Sequence, residues 1–230
     1  MGSVRFPGKP LVDLCGKPMV QWVYEAAQAS GVADNVVVAT PDPEIVDAVA
    51  HFGAWAVTTA PDHPTGTDRI AEVARNLDAE IYINVQGDEP LIRPESIAAC
   101  AQVLLDDDSA ELSSVYAECA EDELDDPSVV KVATDLEGWA LTFSRYPLPF
   151  PRQPRREPVK KHVGLYGYRK DPLIAFATWS QTPLEFAESL EQLRFLEHGY
   201  RFKMARAEAT PVAVDTPEQA EQVRRILAET

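Results

Sequence analysis

Short apolar runs alternate with helical stripes along the first half of the chain. Residues 35–40, 54–58 and 81–85 are apolar, contain β-branched or aromatic side chains, and read as buried strands. Residues 18–30, 43–52 and 68–77 read as helices. Met19, Val23, Ala26 and Ala27 form a stripe on the first; Pro18 and Pro43 suit helix starts, and Gly31 and Gly53 stop the chain after the first two. The order α, β, α, β, α, β predicts an α/β fold with a Rossmann-like, mostly parallel sheet between helical layers, a three-layer domain.

The second half is less regular. Residues 94–105 predict a helix and 112–117 a strand. Residues 118–127 form an acidic loop. Strands at 129–134 and 139–144 flank a hairpin turn at 135–138. Residues 147–158 hold five prolines and three arginines, which excludes helix. A strand at 162–168, a helix at 171–178 and one helix running from 182 to 198 follow. The chain closes with a strand at 202–206, a short extended run at 211–215 and a helix at 217–228. The whole of 1–230 is expected as a single domain with a small inserted subregion near 118–165, a dimerisation and sugar-side element.

Composition narrows the function. The net charge of −16 argues against a nucleic-acid surface, which needs a basic footprint. Local basic clusters remain: Arg5, Lys9 and Lys17, then Arg152 to Lys161. Three scattered cysteines give neither a disulfide framework nor a zinc pattern, so a reducing, cytoplasmic setting is expected. No apolar run approaches the ~18–20 residues of a membrane span, and no signal sequence is read at the N-terminus.

Three stretches carry candidate chemistry. The strand at 81–85 stops at Gln86-Gly87-Asp88-Glu89-Pro90. Ligands bind at the carboxyl ends of strands in open α/β sheets, so Asp88 there suits a metal on a phosphate; a simple turn is the other reading. Residues 2–10 form a Gly/Pro-punctuated basic loop of the type that wraps phosphates, although Pro10 breaks the Walker A spacing. Asp62 to Arg69 combines hydroxyls, a glycine and an arginine at a helix start, which suits an anion or a sugar ring; capping alone also accounts for Thr67 and Asp68.

Taken together, Arg5-Phe-Pro-Gly-Lys-Pro-Leu, Gln86-Gly-Asp-Glu-Pro and Val214-Asp-Thr-Pro-Glu resemble the 3-deoxy-manno-octulosonate (Kdo) cytidylyltransferases. The resemblance extends to Asp62-His-Pro-Thr-Gly-Thr-Asp-Arg, Phe143-Ser-Arg, His162-Val-Gly-Leu-Tyr-Gly-Tyr and Leu190-Glu-Gln-Leu-Arg, and so covers almost the whole chain. It implies a nucleotidyltransferase fold, a homodimer, and transfer of CMP from CTP to Kdo with Mg²⁺ and release of pyrophosphate, for lipopolysaccharide inner-core synthesis. By the same resemblance Asp88 and Asp215 hold the metal and act in catalysis with Lys9. Ser3, Arg5 and Lys9 grip the triphosphate, Thr67 and Arg69 lie near the cytidine, and Gln86 lies between nucleotide and sugar. Arg145, His162, Tyr166, Glu191 and Gln192 bind the sugar; Glu89 has no ligand role and belongs to the turn.

The resemblance departs at one point. Relatives begin with an apolar strand leading through Pro-Ala-Arg into the phosphate loop, whereas this sequence starts at Met1-Gly2-Ser3, so the true start is expected upstream. Two alternatives stand beside the main reading: a cytidylyltransferase for a related acid sugar (8-amino-Kdo or a sialate), and an inactive nucleotide-binding remnant.

Overall fold

A computed structural model describes residues 6–210 and 212–229. The elements follow the predicted alternation. A hairpin of Asp13–Leu14 (β1) and Lys17–Pro18 (β2) leads into Met19–Ala29 (α1), Val37–Thr40 (β3), Pro43–His51 (α2), Trp55–Thr58 (β4), Gly66–Asn76 (α3) and Ile81–Val85 (β5). Pro94–Asp106 (α4), Leu112–Glu118 (β6), Lys131–Thr134 (β7), Ala140–Ser144 (β8) and Lys160–Arg169 (β9) come next. Lys170–Phe176 (α5), Pro183–Glu188 (α6), Gln192–Glu197 (α7), Phe202–Arg206 (β10) and Pro217–Ala228 (α8) complete the chain. These elements pack as two compact units, the first from the described parts of Met1–Pro64, Val85–Ala98 and Thr210–Thr230, the second from Thr65–Asn84 and Ala99–Ala209.

In the first unit, β3 and β4 pair in parallel, Val37 with Trp55 through Thr40 with Thr58, with α2 as the crossover. Val20, Ile45 and Val49 bury one side of α1 and α2. Leu14, Met19, Val214, Ala220 and Val223 form a second core. That core joins the N-terminal hairpin to α8, and it fixes the N-terminal segment against the one that carries Asp215. The hairpin turns through Cys15 (φ 56) and Gly16 (φ 88), the paired positive φ of a two-residue turn that matches strand twist. The extended run read at 211–215 makes no strand among the described residues, but the Val214 N–H donates to the Asp88 carbonyl at 2.8 Å.

The second unit holds a six-stranded sheet in the order β10-β6-β9-β7-β8, with β5 also pairing β9. It is mixed. β10 and β6 are parallel, β9 runs antiparallel to both β6 and β7, and β8 runs antiparallel to β7. The hairpin expected at 135–138 is present. The stretch read as an inserted subregion lies wholly within this unit. Gly167 is required on β9, because a Cβ there would meet the Ser113 Oγ at 2.2 Å. Tyr168, Phe143, Phe176, Phe195 and Phe202 are buried together in the core, with ring pairs such as Phe176–Phe195 at 4.7 Å.

One expected element is corrected. The single helix from 182 to 198 is two, α6 and α7, broken at Ser189 in the left-handed region (φ 53). The cause is visible in the side chains. Arg194 donates through Nε and Nη2 to the two oxygens of Glu185 at 2.7 and 2.5 Å, and both residues are buried. Nine residues along an unbroken helix would lie about 14 Å apart on the axis, too far for that pair. The break folds α7 back so that the guanidinium is neutralised.

Candidate active site

The expected site residues fall into one group in each unit. Ser3 and Arg5 lie outside the described residues. In the first unit Lys9 opens a 3-10 turn that follows Gly8 in the left-handed conformation (φ 74). Its Nζ donates to Asp88 Oδ2 at 2.9 Å and to Asp215 Oδ1 at 3.1 Å. Lys9 is largely buried, with 13% of its side chain exposed, whereas both carboxylates remain partly open. Burial works against the Lys9 ammonium, but the hydrogen bonds and charges of Asp88 and Asp215 outweigh it and raise its pKa above the ordinary lysine value.

Local sequence explains why these three meet. Asp88 stands in the turn after β5, where Gly87 and Pro90 end the strand and the Glu89 N–H donates to the Gln86 carbonyl at 3.2 Å. Asp215 precedes α8, whose N-cap is Thr216. Gln219 at the third helical position accepts from the backbone N–H groups of Asp215 (2.7 Å) and Thr216 (2.9 Å), a capping box that fixes the Asp215 backbone. Gln86 is half-buried in the same turn as Asp88. Glu89 points away into contact with Thr210, whose hydroxyl donates to it at 3.0 Å. Burial, opposed by that bond and helped by the Asp88 charge, pushes the Glu89 carboxyl up to about 7.

No group of three or more His, Cys, Asp or Glu gathers as a metal site among the described residues. Two carboxylates on one ammonium are a different donor set. They suit Mg²⁺, which takes one or two protein carboxylates and completes its octahedron with substrate oxygens and water.

The second group is organised around Glu191. Its Oε2 accepts from the Thr67 hydroxyl at 2.7 Å and from the Thr67 N–H at 3.3 Å. Thr67 belongs to the first turn of α3, where backbone N–H groups lack helical partners and a negative charge is favoured. Arg69 lies half-buried one residue past Asp68 on the same turn. Gln192 is 3% exposed and accepts from the Tyr166 hydroxyl at 3.2 Å, while its Nε2 has no hydrogen-bond partner among the described residues. Glu191 and Gln192 are thus held by hydrogen bonds within the protein.

His162 is buried, with its Nε2 2.9 Å from the Ser114 hydroxyl. Ser114 donates its only hydrogen to the Leu165 carbonyl at 2.7 Å, so Nε2 carries the ring proton and Nδ1 is the acceptor. Burial lowers the His162 pKa to about 3, which keeps the ring neutral. Arg145 gives three of its five N–H groups to the carbonyls of Glu188 (2.7 Å), Pro127 (2.8 Å) and Ser189 (3.4 Å). Its guanidinium is thus fixed in place by loop backbone before any substrate arrives.

Sequence reasoning missed Ser114, Tyr168 and the Glu185–Arg194 pair. The signal for Ser114 was present: Ser113 and Ser114 interrupt an otherwise apolar strand and are fully buried. The ion pair had none, because its spacing fits no helical period.

A family model described as "Cytidylyltransferase" matches residues 1–204. The chain is 44% identical over 229 residues to the 3-deoxy-manno-octulosonate cytidylyltransferase of Escherichia coli, covering 99% of this chain and 93% of that protein. It is 49% identical over 241 residues to the protein of that name from Pseudomonas fluorescens, covering 98% and 94%. Among solved structures it resembles a CMP:2-keto-3-deoxy-manno-octonic acid synthetase complexed with CTP, at TM-score 0.96 and 43% identity over 99% of this chain and 95% of that one. A cytidylyltransferase from Leptospira borgpetersenii, at 15% identity and TM-score 0.67, shares the fold.

Proposed function

The chain belongs to the cytidylyltransferase family, and on that premise we infer that it transfers CMP from CTP to Kdo, giving CMP-Kdo and pyrophosphate. In this reaction the anomeric hydroxyl oxygen of the sugar bonds to the α-phosphorus of CTP. The bond from that phosphorus to the bridging oxygen of the β-phosphate breaks, pyrophosphate leaves, and the hydroxyl proton goes to solvent. Two anions must approach, and like unit charges 4 Å apart repel by about 4 kcal/mol at an effective dielectric near 20. The protein's task is positioning and charge neutralisation.

The observation that carries this chemistry is the Lys9–Asp88–Asp215 cluster. Asp88 and Asp215 are the residues that would hold Mg²⁺, which when bound offsets phosphate charge and polarises oxygen. Lys9 neutralises the charge that collects on pyrophosphate as it leaves, with Ser3 and Arg5 of the same loop on the triphosphate. Arg69 serves the cytidine side, and Gln86 serves both nucleotide and sugar. The amide nitrogen of Gln192, the acceptor Nδ1 of His162, Tyr166 and Glu191 supply hydrogen bonds to the sugar. Arg145, already fixed by carbonyls, has two N–H groups left for the sugar carboxylate.

The protein acts as a homodimer in the cytoplasm. Leu141, Tyr146, Phe150, Leu184 and Phe186 are exposed, Tyr146 at 81% and Phe150 at 85%, and such apolar side chains favour a second copy over water. No helix among the described residues is long and apolar enough to cross a membrane. Incubating the purified chain with CTP, Mg²⁺ and each of Kdo, 8-amino-Kdo and a sialate tests the assignment. Pyrophosphate should form fastest with Kdo; release with a sialate but not with Kdo would reassign the acceptor.

A further inference from the structure

The family resemblance puts Thr67 near the cytidine, yet its hydroxyl hydrogen and backbone N–H are already committed elsewhere. The side chain is 3% exposed. Its one hydroxyl hydrogen goes to Glu191 Oε2 at 2.7 Å, and its backbone N–H reaches the same oxygen at 3.3 Å. Because that hydrogen is spent, the remaining contact, 3.5 Å from the Tyr168 hydroxyl, has Tyr168 as donor. Tyr168 is itself fully buried, and burial raises its pKa above the ordinary phenol value. A dry chain of donors, Tyr168 to Thr67 to Glu191, therefore ends on a single carboxylate oxygen at the open end of α3.

We infer that Thr67 is a positioning residue for the acceptor sugar: it pins Glu191 Oε2 and so presents Oε1 to a sugar hydroxyl. This rests on the reading of Glu191 as a sugar ligand. A carboxylate on a rotatable side chain that accepts two hydrogen bonds through one oxygen has a single low-energy orientation, so the second oxygen is preorganised for a donor. The Thr67 hydroxyl has no hydrogen left to donate to a cytosine ring, so its principal role is on the sugar side.

The test is steady-state kinetics on the full chain, with KM for Kdo and for CTP measured separately. Thr67→Val keeps the shape and loses the hydroxyl. It should raise KM for Kdo by about tenfold, the effect of one lost hydrogen bond to a charged group, and leave KM for CTP within about twofold. Thr67→Ser, which keeps the donor, should restore the parent KM. Should Thr67→Val fail to fold, Thr67→Ala removes the same donor without adding an apolar branch. In the double variant with Glu191→Gln, the two effects should not add.

A rise in KM for CTP with no change for Kdo overturns the proposal, as does a Thr67→Ser variant as poor as Thr67→Val. Glu191→Gln separates the two claims. If it leaves KM for Kdo unchanged, the sugar-ligand reading of Glu191 fails and the proposal with it. If it raises KM for Kdo while Thr67→Val does not, only the role of Thr67 fails.

Discussion

The backbone N–H of Val214 donates to the carbonyl of Asp88 at 2.8 Å, so two segments 126 positions apart in the chain are joined one residue before Asp215. That bond places the second carboxylate beside the first. The Lys9 ammonium then fills the space between them. The N-terminal loop, the end of β5 and the start of α8 thereby share one charged centre.

Removing that ammonium leaves two carboxylates facing each other. Lys9→Met should lower the melting temperature by several degrees, as the loss of about 1 kcal/mol or more does in a domain of this size. Millimolar Mg²⁺ should restore most of the loss, because a cation that binds only the folded pair stabilises it by mass action. The parent should gain less from Mg²⁺. Differential scanning fluorimetry reads both, and equal Mg²⁺ shifts in the two proteins would count against the shared centre.

Glu185 and Arg194 form a two-pronged pair with 2% and 5% of their side chains exposed, and the Arg194 guanidinium also stacks 3.9 Å from the Phe176 ring centre. Deleting one partner strands a buried charge. Glu185→Ala should cost about 3–5 kcal/mol in chemical denaturation. A double replacement of Glu185 and Arg194 by apolar residues should cost less than Glu185→Ala alone, and the opposite order would refute the stranded-charge account.

His162 gives stability a pH slope. Its pKa is lowered by burial from 6.5 to about 3, so below pH 6.5 the unfolded chain takes up a proton that the folded chain refuses. Stability is therefore fully present above pH 6.5 and is lost as pH falls towards the folded value, by at most about 1.4 kcal/mol per pH unit. Between pH 6.5 and 5 the parent should lose more stability than His162→Asn, which cannot titrate. Parallel stability curves for the two proteins would show that the ring is not held neutral.

The local grammar of the chain was legible where one element depends on its own residues. Strand 81–85, strand 202–206 and the helix from Pro217 follow from apolar pattern, proline and capping alone. The acid pair was legible only through the family resemblance, since nothing near Asp88 in sequence announces Asp215. Helix 182–198 was misread because its periodicity persists through Ser189, and only the distant demand of Arg194 for Glu185 breaks it. Thr67 shows the same limit for function. A hydroxyl at a helix start reads as a cap, and its partner Glu191 lies 124 residues away.

The most direct test measures pyrophosphate release from CTP and Kdo by the parent and by Asp88→Asn, with the melting temperature of each. Asp88→Asn should keep the parent fold and lose at least about a hundredfold in kcat, the scale on which loss of a single charge-stabilising group is felt. A folded Asp88→Asn protein with turnover within about tenfold of the parent would contradict the assignment of the Lys9–Asp88–Asp215 cluster to the chemistry.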